Sequence, residues 1–142
     1  MKMTGNGGPR RFELAAGVRS IVVLNANKFG FELDGVVYTI TRTGLFAPNY
    51  HLVCDQELML TAEQRPLFAQ YAIAHAGGQW IFKTISLGQT MFILQRGADR
   101  VGLISPGGWW SFYKNIAIDI SDEMSLPAQV FLVWLALRHW QE

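Results

Sequence analysis

The stretch SLPAQVFLVWLALRHWQE, from Ser125 to Glu142, constrains this chain more than any other. No charge stands between Glu123 and Arg138. At ~1.5 Å rise per residue, the roughly fourteen uncharged residues reach about 21 Å, short of the ~30 Å hydrocarbon layer of a bilayer. A simple transmembrane crossing is therefore disfavoured, and a tail anchor, with Trp140 at the interface and Arg138 snorkelling, is the alternative reading. A helix lying on a membrane needs a strong polar face. Here Val130, Phe131, Leu132, Val133, Trp134, Leu135, Ala136 and Leu137 are consecutive and cover every direction around the axis. Such a helix wants nonpolar neighbours on all sides, which in a soluble protein places it in the middle of the fold. The helix is expected over about 124–141, with Val130, Phe131, Val133, Trp134 and Leu137 in the core. Ser125 suits the N-cap and Pro127 the first turn, where its missing N–H costs nothing. Asp122 with Glu123 complements the positive helix end, and Arg138 the negative one.

A helix buried on every side needs a wall, and the preceding residues read as short strands broken by turn residues. In VVYTITRT, Val36, Tyr38 and Ile40 alternate with Val37, Thr39 and Thr41. In SFYKNIAIDIS, Phe112, Lys114, Ile116, Ile118 and Ile120 share one face, and this strand leads into the helix. QWIFKTIS, TMFILQRG and RVGLIS add three strands, and RSIVVLNAN, FGFELDG and NYHLVCDQELMLT supply more, with Asp34–Gly35 placed for a tight hairpin. PLFAQYAIAHAGG fits a helix started by Pro66 and ended by Gly77. It fits equally a strand whose face carries Leu67, Tyr71, Ile73 and His75, and the β neighbourhood favours the strand. The expected fold is mainly β (α+β): an antiparallel meander of about 10–12 short strands forming a closed or nearly closed barrel around the C-terminal helix.

At 142 residues, half of them hydrophobic, the chain can bury one sizeable core, so residues 12–142 read as a single domain. Residues 1–11, MKMTGNGGPRR, read as a flexible N-terminal arm: they lack the apolar stretch of a signal peptide and are rich in Gly. The 12 basic and 11 acidic residues are scattered along the chain with no basic stripe, which speaks against nucleic acid as a partner. Cys54 is the one cysteine, so no internal disulfide forms, and a reducing, cytoplasmic setting fits.

Short strands followed by an all-round apolar terminal helix resemble the tubby C-terminal-like superfamily, which includes tubby domains, phospholipid scramblases and plant LURP-one-related proteins. FYKNIAIDISDEMSLPAQVFLVWLALRHW carries the resemblance, together with the rhythm of FELDGVVYTITRTG and FILQRGADRVGLIS. It covers the chain from about Phe12 onward. The resemblance implies a terminal helix threaded through an antiparallel barrel and a non-enzymatic binding domain, with membrane lipid or a protein as partner and a position peripheral to the membrane. The basic lipid pocket of tubby domains has no visible counterpart, because Lys28, Arg42, Lys83, Arg96, Arg100 and Lys114 stand singly. The cysteine cluster and calcium segment of scramblases are likewise unmatched.

Motifs of chemistry are absent from the sequence: GNGGP precedes any strand and lacks the Lys-Ser/Thr of a phosphate loop, and no GxSxG elbow occurs. His51 and Cys54 form an HxxC pair, but on a strand they fall on opposite faces, so neither a metal site nor another cofactor is expected. His75 and His139 read as boundary residues, and Glu32, Asp34, Asp55 and Glu57 as turn and solvation residues rather than acid–base catalysts. Trp109 and Trp110 after SPGG are the ligand or partner surface that the sequence singles out, because adjacent strand residues point to opposite faces; one capping the barrel and the other packing on Tyr113 is the plainer account. No catalytic residue is nominated. The weakest of the three readings is a small enzyme with a cleft at the barrel mouth.

Overall fold

The computed structural model describes residues 1–65, 70–85, 91–106 and 114–141. Alternating burial marks most of the strands. They are β1 (Lys2–Gly7), β2 (Phe12–Ala16), β3 (Arg19–Leu24), β4 (Gly30–Leu33), β5 (Val36–Thr43), β6 (Asn49–Cys54), β7 (Glu57–Gln64), β8 (Gln70–His75), β9 (Gly78–Thr84), β10 (Phe92–Arg96), β11 (Asp99–Ser105) and β12 (Ile116–Ile120). One helix, α1 (Leu126–Gln141), follows. The sheet has 12 strands in the order β3-β2-β1-β12-β11-β10-β9-β8-β7-β6-β5-β4. Every strand neighbours the next in sequence, and β1 pairs β12 antiparallel, Met3 opposite Ile118. The ladder is broken only between β3 and β4, so the sheet is a nearly closed antiparallel barrel with one seam.

Inside runs α1, where every residue from Ala128 to Leu137 is buried. Val130, Phe131, Val133, Trp134 and Leu137, the residues the sequence nominated, are each 0% exposed. Inward strand residues meet them: Tyr50 packs edge-on to Trp134 with ring centroids 5.4 Å apart. Ser125 caps the helix, its Oγ accepting the Ala128 N–H at 3.4 Å. The apolar run Ala128–Leu137 is thus enclosed by strands, and no helix among the described residues is long and apolar enough to cross a membrane.

The helix also fastens the seam. Trp134 Nε1 donates to the Lys28 carbonyl at 2.9 Å, Arg138 Nη1 to the Ala26 carbonyl at 3.0 Å, and Gln141 Nε2 to Asn27 Oδ1 at 2.8 Å. All three acceptors lie in the β3–β4 connection. Side chains from the lumen thus take the place of the missing ladder.

The flexible arm expected over residues 1–11 is a correction: residues 2–7 are β1, paired with β2 on one side and β12 on the other. Its glycines mark close packing. A Cβ at Gly5 would lie 2.2 Å from Cζ of Phe12, a ring that is fully buried, so only Gly leaves room for that ring over the strand. A second correction concerns the last strand. Asn115 turns the chain with φ 54, its N–H held by Asn6 Oδ1 at 2.9 Å, so β12 begins at Ile116 and Lys114 shares no strand face with it. Gln70–His75 is strand, as alternation favours, while 66–69 lie outside the described residues.

Candidate functional site

Hairpin connections alternate between the two ends of the barrel, and the ends are unlike. At one end, the turn end, β2–β3, β4–β5, β6–β7, β8–β9 and β10–β11 join through two-residue turns, and the chain passes from β12 into α1. Asp34–Gly35 (φ 51 and 78), Asp55–Gln56 (51 and 66) and Ala76–Gly77 (49 and 78) have both central residues in the left-handed region, as type I′ hairpins require. At the other, the loop end, connections 8–11, 25–29, 44–48, 65–69, 85–91 and 106–115 are longer, and the C-terminus of α1 arrives among them.

Charge follows the same division. Arg10 and Arg11, Lys28, Arg65 and Lys114 lie in loop-end connections, and Arg42 and Lys83 near the ends of the strands that lead into the other two. Arg138 closes the helix behind them. Glu13 and Glu63 are the acidic residues described at this end. Glu32, Asp34, Asp55, Glu57, Asp99, Asp119, Asp122 and Glu123 belong to the turn end, with Lys2, Arg19, Arg96 and Arg100 as its basic residues. A formal net charge of +1 therefore conceals a strong axial separation.

The ion pairs among the described residues are both at the turn end: the Met1 amine with Asp122 at 2.8 Å and Arg96 with Glu123 at 2.6 Å. Among the described residues no carboxylate pairs with the loop-end rim, where Lys83 is half-buried and the others are exposed. Complementing the helix dipole accounts for Asp122, Glu123 and Arg138, which sit within a turn of the α1 termini. It does not account for the rim, since the dipole's influence fades beyond the terminal turn.

Beside the rim, the β5–β6 connection projects two large apolar side chains. Leu45 is 92% and Phe46 100% exposed. The tip is built by Gly44, whose φ of +90 a side chain would strain and whose Cβ would meet the Ala47 carbonyl at 2.6 Å. Ile85, after β9, is a further exposed apolar residue at this end. A Leu–Phe pair this exposed contributes little apolar burial to the fold. Burying it elsewhere is worth ~1.5–3 kcal/mol per side chain.

The other nominated residues take structural roles or form no cluster. His75 Nδ1 lies 3.0 Å from the Met59 carbonyl, which can only accept, so Nδ1 carries the proton; Nε2 faces Ser125 Oγ at 3.4 Å. This histidine thus ties a β7 bulge to the helix cap. His139 stands edge-on to Phe92, centroids 5.3 Å apart. His51 sits between Thr43 and Thr61, 3.4 Å from each hydroxyl. Cys54 lies at the turn end, its thiol held above the ordinary value by desolvation first, then by Asp55 and Glu57, which makes it a weak nucleophile near neutral pH. Glu32, Asp34, Asp55 and Glu57 line the turn end, as their turn role implies. Trp109 and Trp110 lie outside the described residues.

No group of three or more His, Cys, Asp and Glu among the described residues is placed to hold a metal ion. The lumen is occupied by α1, with Trp134, Phe131 and their neighbours in the core cluster. On the outer wall, cavities of about 310 and 340 Å³ lie beside β8; the titratable side chains lining them are His75 in the first and Glu63 with Arg65 in the second. What the loop end can do is attract anions over a wide face and bury an apolar tip. In the sequence this face is not visible, because its basic residues are separated by about one hairpin each. No protein family, curated protein or solved structure matches the chain.

Proposed function

We propose that this chain is a non-enzymatic binding domain of tubby-like type that associates with membrane lipids through the loop end. One observation carries the reading: basic residues in or beside the loop-end connections, none of them in an ion pair among the described residues, share that end of the barrel with the exposed Leu45–Phe46 tip. Cations near an anionic bilayer surface are worth ~1 kcal/mol each, and an inserted Leu–Phe pair adds several more, enough for reversible binding. A barrel wrapped around a terminal apolar helix is the arrangement the tubby-like resemblance implies, which supports that part of the reading. A cytoplasmic location, peripheral to a membrane, goes with it.

Flotation with vesicles tests the proposal. The protein is expected to float with phosphatidylcholine vesicles containing phosphatidylserine, to stay behind with pure phosphatidylcholine, and to be released by raised salt. Protein that stays in solution with both kinds of vesicle would sink the reading.

A further inference from the structure

Resting on that reading, we infer that the Leu45–Phe46 tip is held outward before any membrane is met, and that Gly44 is the residue that positions it. The ladder supplies a firm base. Thr43 of β5 pairs with Asn49 of β6, so residues 44–48 start from a closed rung with no loose stem. Gly44 then lies against the far side of the connection: a Cβ placed on it would stand 2.6 Å from the Ala47 carbonyl oxygen and 3.7 Å from the Cα of Pro48. At φ +90 and with that approach, only glycine fits without moving the loop. The chain therefore reverses over Gly44, Leu45, Phe46 and Ala47, with the Leu–Phe pair at the two central positions, and their exposures of 92% and 100% follow. Pro48, whose ring fixes φ at about −65°, stiffens the return into β6.

Turn chemistry argues that this arrangement serves something outside the fold. The turn-end hairpins Asp34–Gly35, Asp55–Gln56 and Ala76–Gly77 each place a Gly or an Asp at a central position, where those residues suit the backbone. Leu45 and Phe46 bring no such advantage. Val18, exposed beside Gly17, is a single apolar residue of the ordinary surface kind. An adjacent Leu and Phe fixed at the tip of a reversal depart from local turn preference, and such departures mark functional sites. The gain from fixing them is entropic: side chains already projected lose less freedom on entering hydrocarbon than the same side chains on a loose loop.

The test is a double-mutant cycle on phosphatidylcholine vesicles carrying phosphatidylserine, at a content high enough that charge alone keeps the protein measurably bound once the tip is removed. Gly44→Ala and Pro48→Ala are made singly in the full chain, and again together with Leu45→Ser and Phe46→Ser. With the tip present, partition should fall about tenfold for Gly44→Ala and about threefold for Pro48→Ala, by the same factor at low and at raised salt, because the rim charges are untouched. With Leu45 and Phe46 already replaced, neither change should lower partition further. Melting curves of every variant ensure that folded proteins are compared. Partition of both single variants equal to wild type would overturn the inference while leaving lipid binding standing. An equal loss in both backgrounds, the mark of a general structural role, would do the same. Wild-type protein that ignores the vesicles would overturn the inference and the reading beneath it.

Discussion

The two ends of this barrel are built from the same strands yet solve different problems. The turn end is economical: two-residue hairpins, a capped helix start, a histidine bound between the Met59 carbonyl and Ser125, and two ion pairs that satisfy local charge. The loop end has longer connections, cations with no ion pair among the described residues, and the exposed Leu45–Phe46 tip. Stability concentrates where groups find partners within the chain, and the proposed binding is assigned to the end where the described groups do not. The helix links the two, because its start is capped at the turn end and its last turns hold the β3–β4 connection that bears Lys28.

Trp134→Ala strikes both ends and has the largest expected effect. It removes a fully buried ring and the bond to the Lys28 carbonyl, so denaturant melts should show about 3–5 kcal/mol of lost stability. A loss below ~1 kcal/mol would deny that the helix is the core. The double change Leu45→Ser and Phe46→Ser separates the ends: vesicle partition should weaken by about 2–4 kcal/mol, with the melting curve moved by no more than ~0.5 kcal/mol. A destabilised fold would mean the tip packs against the protein.

Smaller effects sharpen the contrast. Ser125→Ala should cost about 1 kcal/mol of stability through the lost helix cap and leave vesicle binding unchanged, as titrations with and without anionic lipid can establish. Arg65→Gln should do the reverse, weakening binding by about 1 kcal/mol with stability unmoved. If Ser125→Ala impaired binding, or Arg65→Gln impaired folding, the division between ends would fail.

Much of the architecture was legible in the sequence because the signals were local. An unbroken apolar run from Val130 to Leu137 has no amphipathic solution, so it had to be enclosed. Alternation in Ile116–Ile120 and the Asp34–Gly35 pair mark a strand and a turn within a few residues. β1 was hidden because Gly5, which faces Phe12, contributes no side chain to the pattern, and a glycine chosen for space looks like one chosen for flexibility. The loop end was invisible for a different reason. Lys28, Arg42, Lys83 and Lys114 come together only after the barrel closes, and knowing which end each occupies requires every intervening strand to be counted, including β1 and the β6–β7 hairpin. Arg96 and Arg100, alike in sequence context, end up at the opposite end.

Depth-dependent fluorescence quenching on anionic vesicles addresses the difference between the ends most directly. A fluorophore placed at Phe46→Cys, and separately at Asp55→Cys, both with Cys54→Ser, reports which end enters the lipid. The label at position 46 should be quenched by bromine atoms on the acyl chains, while the label at position 55 stays accessible to aqueous iodide. Lipid quenching at position 55, or equal quenching at both, would contradict the account.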